Sequence, residues 1–353
     1  MPNRERLIER RLADNPEPII TDGATGTVLR RRLVELEDVN PDLLTLWMNE
    51  MSEKKPSMHD RLSAIFESQD ISSVRQLPIP VLTLVRPEIV IDAHTAYADA
   101  GAQWILTNTF IGSDFHMTRL GLQGLVYEMN RKAALLVRLA GDNVYVVGDI
   151  GPSGQAESLV LGNITQEELI QSYISQVCGL LTGGVDLFHI ETMESIQEVL
   201  AAIEAIKQAC KQEHIRTLPI VATMSFNPPA EGKTRFRTAW GASPAQLVVI
   251  ANQQGLFGCG ANCGMGLEGA DDLLSEFIET RTTTHLVMKM NAGIAVLNIR
   301  TEETTWPATP GQMADYAVRM RDLGARIIGA CCGSTPAHIE AMANTIENLS
   351  ATY

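Results

Sequence analysis

Apolar runs of strand length recur eight times along this 353-residue chain, and helix-like segments separate most of them. The runs occupy residues 18–22, 104–110, 144–150, 185–191, 219–225, 256–259, 286–291 and 325–328, and glycine-rich or polar tips follow them. Between them the apolar spacing changes to that of an amphipathic helix, as in Ile196, Val199, Leu200, Ile203 and Ile206. Met313, Tyr316, Ala317 and Met320 line another such face. Helix starts are legible too: Thr165-Gln-Glu-Glu168 is a capping box, and Ser243-Pro244 puts proline in a first turn. Eight alternating units predict an α/β fold, a (β/α)8 or TIM barrel, whose chemistry sits on the loops at the strands' C-terminal ends.

Two of those tips carry cysteine between glycines. Cys263 lies in Gly260-Ala-Asn-Cys-Gly264, and Cys331 and Cys332 lie in Gly329-Ala-Cys-Cys-Gly-Ser334. Flanking glycines let the backbone bend sharply and bring sulfur close to a small target. Three thiolates at the ends of two strands suit zinc, and three protein ligands leave a fourth position free, the catalytic arrangement. A doubly wound sheet would not obviously bring strands six and eight to one metal, which favours the barrel. The other cysteines, 178, 210 and 259, read as core or surface residues, and six cysteines in a long acidic chain form no disulfide framework.

The charge balance narrows the partners. With 28 Lys and Arg against 42 Asp and Glu, the net charge is −14, which argues against nucleic acid and anionic membrane surfaces. The first residues carry mixed charge with no apolar h-region, and no apolar run approaches membrane-spanning length. The expectation is a cytoplasmic enzyme with reduced thiols. One barrel domain is expected over 1–353, with 1–16 as an N-terminal arm. Residues 34–80, which contain no glycine, form an insertion after the first strand that overhangs the barrel mouth. Two short helices are expected within it, over 41–52 and 57–68.

Taken in order, the tips resemble the homocysteine S-methyltransferase family. The matching pieces are Asp22-Gly-Ala-Thr-Gly-Thr27, Thr107-Asn-Thr-Phe110, Gly148-Asp-Ile-Gly-Pro152, Glu191-Thr-Met193, Gly260-Ala-Asn-Cys-Gly264, Asn291-Ala-Gly293 and Gly329-Ala-Cys-Cys-Gly333. They cover nearly the whole chain outside 34–80. The resemblance implies a zinc barrel that methylates homocysteine to methionine, with Cys263, Cys331 and Cys332 as metal ligands. It implies Asn291 as the fourth ligand until substrate arrives. It also implies a substrate grip at Asp22, Gly23 and Glu191, with Glu191 on the amino group and Asn108, Thr109 and Ser225 lining the pocket. The chemistry agrees: a free thiol of pKa about 8.5 is mostly protonated at neutral pH, whereas the thiolate is the nucleophile. No other catalytic motif competes; Gly264-Met-Gly-Leu-Glu-Gly269 fits a dinucleotide turn only formally, since it follows the sixth strand.

The methyl donor is less constrained. An onium donor such as betaine or S-methylmethionine favours aromatic faces, and Trp47, inside the insertion, resembles a family tryptophan near the donor. A corrinoid protein or folate partner acting in trans stays open, as does a homo-oligomer. The rival from another class is a non-catalytic, zinc-stabilised barrel with a closed four-ligand site.

Overall fold

The computed structural model describes Leu12 and residues 17–230, 234–298 and 303–350. The arm expected over 1–16 lies outside the described residues apart from Leu12. Eight strands form one parallel sheet: β1 (Ile19–Ile20), β2 (Trp104–Leu106), β3 (Tyr145–Ile150), β4 (Leu187–Met193), β5 (Ile220–Met224), β6 (Gly258–Asn262), β7 (His285–Met290) and β10 (Ile327–Ala330). The intervening β8 (Val296–Asn298) and β9 (Glu303–Thr305) form a separate antiparallel hairpin that the sequence pattern did not announce. Sheet order β1-β10-β7-β6-β5-β4-β3-β2 leaves only the β1–β2 seam to close the ring.

A single bridge between Thr21 and Trp104 closes it. Around that bridge Gln103 N–H reaches Ile20 C=O at 2.8 Å, and Asp22 N–H reaches Trp104 C=O at 2.9 Å. Here β1 is too short to supply the next acceptor. The Asp22 side chain substitutes for it, with Oδ2 taking the Leu106 N–H at 2.8 Å. A carboxylate thus extends the ladder where backbone runs out. The outcome is the (β/α)8 barrel.

Side chains alternate across each strand, so every second residue points to the axis. Ile19, Trp104, Val147, Leu187, Val221, Val287 and Ile327 form one such inward cluster. Their neighbours Ile20, Ile105, Val146, Phe188, Ala222, Met288 and Ile328 pack outward against the helices. Two residues beyond, the axis is polar on five of the seven strands, with Thr21, Asp149, His189, Thr223 and Lys289, while Gly329 and Leu106 fill the other two positions. All five side chains are buried. The barrel is apolar below and titratable above.

Strands six and eight end later than their apolar runs imply. Small residues caused the misreading: Gly258 and Gly260 belong to β6 because its neighbours press close. A Cβ at Gly260 would lie 1.8 Å from the Val287 carbonyl oxygen. Strand two ends earlier, at Leu106, because Thr109 N–H turns back onto Thr107 C=O at 2.8 Å.

The insertion contains the expected helices as Leu43–Lys54 and Pro56–Ser68, but its assumed start at 34 falls inside a longer helix, Thr25–Val39. Leu29, Leu33, Leu43, Trp47, Leu62 and Phe66 build a second core. That core rests on the flanking helices Pro87–Asp99 and Val126–Leu139 through Val90 and Met129. The insertion's tail reaches the strand tips: Asn108 Nδ2 donates to Ile79 C=O at 3.0 Å. No helix among the described residues is long and apolar enough to cross a membrane.

Asp22→Ala is expected to leave the buried Leu106 N–H without an acceptor and to lower unfolding free energy by about 1–3 kcal/mol. Asp22→Asn keeps an acceptor oxygen and should stay near the parent in the same denaturant titration. Equal stability of the alanine protein would show that the seam does not depend on this side chain.

Candidate metal centre at the barrel rim

Cys263 follows β6 directly, and Cys331 and Cys332 follow β10. Cys263 N–H is held by Lys289 C=O at 3.1 Å, and Cys331 N–H by Met290 C=O at 2.9 Å. Both cysteine tips therefore hang on β7. Cys263 adopts φ +59°, a left-handed conformation unusual for a side-chain-bearing residue and a mark of built-in strain. The next residue explains why glycine is needed: Gly264 has φ +69°, and a Cβ there would meet Phe226 C=O at 2.5 Å.

The three sulfurs lie within 4.8 Å of one another, and Cys263 Sγ is 3.8 Å from Cys332 Sγ. A tetrahedral site with metal–sulfur bonds of about 2.3 Å has sulfur–sulfur edges of about 3.8 Å, so this spacing fits a shared cation. It is far too long for a disulfide bond of about 2.05 Å. The thiols also share one proton deficit. Hydrogen bonds from Cys331 and Cys332 pull the Cys263 thiol down to about 3. Those same contacts push Cys331 well up, and Cys332 up to about 12. Contact among the sulfurs thus favours charge on Cys263 over its two neighbours. Asn291 borders Cys263, and its buried Oδ1 accepts no hydrogen bond among the described residues. Three sulfurs and one orphaned amide oxygen suit a tetrahedral metal.

Glu191 lies beside this cluster. Its Oε2 pairs with Lys289 Nζ at 3.1 Å, and Asn262 Nδ2 stands 3.5 Å from Oε2 and 3.8 Å from Cys331 Sγ. One amide therefore spans carboxylate and sulfur. Asp22 and Asp149 complete a buried acidic group. Burial raises Asp22 to about 7 against the pull of Lys289, and it raises Asp149 well above the carboxylate range. Burial works against the Lys289 charge, but Glu191, Asp22 and neighbouring anions outweigh it and leave its pKa raised.

The structure distributes the sequence-derived residues unevenly. Gly23 touches the cysteine loop, since its Cβ position would fall 2.3 Å from Ser334 Oγ. Ser225 Oγ approaches Gly264, one residue from Cys263. Asn108 spends its amide on the insertion, and Thr109 Oγ1 bonds Asp149 C=O at 2.7 Å, so both hold the rim together. Trp47 sits in the second core with the Arg86 guanidinium 4.8 Å from its ring centroid. A cation already covers that ring. The aromatic beside the cysteines is Trp306, packed onto Gly333 and carrying a buried, unpartnered Nε1.

Lys289 and Trp306 escaped the sequence reading. A lysine inside Leu286-Val-Met-Lys-Met290 signals a buried partner, because an isolated charge would not survive there. Trp306 lies between strands with no periodicity to mark it.

A family description, homocysteine S-methyltransferase, matches residues 19–346. The methionine synthase of Mycobacterium tuberculosis is 24% identical over 277 residues, which is 76% of this chain and 22% of that protein. The chain thus spans about a fifth of that relative's length. Among solved structures, the metallated form of the homocysteine methyltransferase MmuM from Escherichia coli superposes with a TM-score of 0.64 at 21% identity, covering 95% of this chain and 98% of that one. Its oxidised form gives 0.63 at 22% identity, covering 98% and 99%. At these identities the structures speak for the fold.

Gly333 offers a direct test of the cysteine tip. It has φ +79°, and a Cβ would fall 2.1 Å from Trp306 Cγ. Gly333→Ala is expected to displace the loop and lower metal content per chain, read by elemental analysis. Gly162→Ala, at φ +74° with nothing within 4 Å, carries the strain alone and should load normally. Equal loading of both would detach the loop's packing from metal binding.

Proposed function

The chain belongs to the homocysteine S-methyltransferase family, and on that premise we propose that it is a zinc-dependent enzyme methylating homocysteine to methionine. One observation carries the reading. Three sulfurs within 4.8 Å stand at the rim, and one amide links Cys331 Sγ to the Glu191 carboxylate. Homocysteine carries its ammonium a short, flexible chain away from its thiol, so the two sites suit its two ends.

Cys263, Cys331 and Cys332 would hold zinc, with Asn291 Oδ1 placed to serve as a fourth donor. The chemistry zinc supplies when bound is deprotonation of a coordinated thiol. The chain's residues do the rest. Glu191 accepts the substrate ammonium, a charge-assisted contact. Gly23 presents bare backbone at the mouth, and Ser334, accepting Ala24 N–H at 3.0 Å, ties that tip to the cysteine loop. The substrate's sulfur lone pair forms a bond to the donor methyl carbon while the bond to the leaving group breaks. A cationic onium thereby leaves as a neutral amine or thioether, and the thiol proton goes to solvent. Aligning sulfur, methyl carbon and leaving group supplies much of the rate gain.

Two features support an onium donor. Trp306 offers an aromatic surface at the cysteine tip, and such rings attract methylated cations. A cavity of about 1000 Å³ opens beside Asn291 and Gly264, lined by Phe236, Glu268 and Asp272 among others, an acidic wall suited to positive charge. The insertion, whose tail meets Asn108, would overhang this mouth within a single barrel domain. The likeness to a methionine synthase favours a second reading, in which a corrinoid protein or folate delivers the methyl group.

Purified protein should carry about one zinc per chain, and Cys332→Ser should lose metal and activity together while remaining folded. The deciding assay incubates zinc-loaded protein with homocysteine and separately with betaine, S-methylmethionine or a methylated corrinoid, and reads methionine. Methionine from the corrinoid alone would replace the onium reading, and none from any donor would sink the proposed reaction. Trp306→Ala should weaken onium binding by about 0.5–2 kcal/mol. Trp47→Ala, whose ring Arg86 covers, should leave donor binding nearly unchanged, and a larger loss there would return the donor to the insertion.

A further inference from the structure

Period-two alternation places Lys289 on the barrel axis, directly above Val287 and in register with Asn262 and Gly329 on the two flanking strands. Its side chain is 2% exposed, against 11% for Glu191. Lysine is therefore the more deeply buried partner of the pair. Its ammonium holds Oε2 at 3.1 Å, and both contacts that Glu191 receives from the described residues fall on Oε2, leaving Oε1 without one among them.

The backbone around Glu191 is set for this pairing. The β4–β5 register shifts between Ile190 and Met193, and Thr192 adopts φ +60°, costly for a β-branched residue. Asn262 holds that bend: its Oδ1 takes Thr192 N–H at 2.7 Å and the Thr223 hydroxyl at 2.6 Å, and its Nδ2 donates to Thr192 Oγ1 at 2.7 Å. Thr223 in turn meets His189 Nε2 at 2.9 Å. The remaining N–H of Asn262 reaches Glu191 Oε2 only at 3.5 Å, so the shorter, charged contact from Lys289 at 3.1 Å is the stronger hold on that oxygen.

We propose that Lys289 is a positioning residue for substrate recognition: it clamps Glu191 by Oε2 so that Oε1 alone is presented to the ammonium of an α-amino thiol. This rests on the homocysteine reading of the same site. Lys289 itself is too buried to touch substrate, so it should contribute to ammonium binding and not to the grip on carboxylate or sulfur.

Calorimetry with metal-loaded protein and three probes tests this: homocysteine, 4-mercaptobutyrate, which lacks the amino group, and 3-mercaptopropylamine, which lacks the carboxylate. Lys289→Met should weaken homocysteine and 3-mercaptopropylamine by roughly ten- to hundredfold. Binding of 4-mercaptobutyrate should barely change. Should the unpaired carboxylate prevent folding, Lys289→Met with Glu191→Gln removes both charges of the buried pair and should fold. That double variant should match Glu191→Gln alone for every probe, because both substitutions remove one contact. Equal losses for all three probes would make Lys289 a general support of the pocket. A further loss confined to the carboxylate-bearing probes would make it a direct ligand, and either result overturns the clamp. A parent protein that binds none of the probes would overturn the homocysteine reading itself.

Discussion

Everything at the rim follows from a parallel hydrogen-bond ladder that returns to its own first strand. Because each strand runs the same way, all eight C-terminal ends open on one face, and residues as distant as Asp22, Glu191, Cys263 and Cys331 become neighbours. The ladder is weakest between β1 and β2, where one bridge and one aspartate side chain complete the ring. Asp22 therefore has two duties. One oxygen acts as backbone acceptor, and the other, buried and unpartnered, remains in the charged group around Lys289.

Electrostatics divides the site into two compartments. Within the sulfur trio, hydrogen bonds hold the Cys263 thiol low and push Cys331 up. A short distance inward, the pair Glu191–Lys289 sits among two carboxyls whose burial keeps them from ionising readily. Asn262 joins the compartments through contacts at 3.5 and 3.8 Å. On the proposed function, such a boundary would let thiol chemistry and amino-group recognition be tuned separately, since different residues would carry each.

The sequence disclosed the eight-unit alternation and the cysteine tips because both leave local marks, periodicity in one case and glycine brackets in the other. Strand ends at β6 and β10 were harder, because tight interstrand packing selects glycine and alanine, which look like loop residues in one dimension. Trp47 drew notice as an aromatic resembling a family tryptophan near the donor; its ring stacks under Arg86 in a core the sequence pattern could not delimit. Lys289 was readable in principle: counting by two from Val287 puts it on the axis, and a buried ammonium demands an anion. What could not be read was which anion, since Glu191 lies 98 residues away.

Among the described residues a helical core stands apart from the barrel's inner and outer clusters. The helical insertion packs on Leu29, Leu33, Trp47 and Phe66, and meets the barrel through side helices and one tail contact at Asn108. Regions with separate cores open as separate cooperative units, each with its own free energy. Substitutions within the helical core therefore leave the ladder beneath the cysteines largely undisturbed. Sequence change could act on that half of the molecule as on an interchangeable part without reaching the half that bears sulfur and lysine.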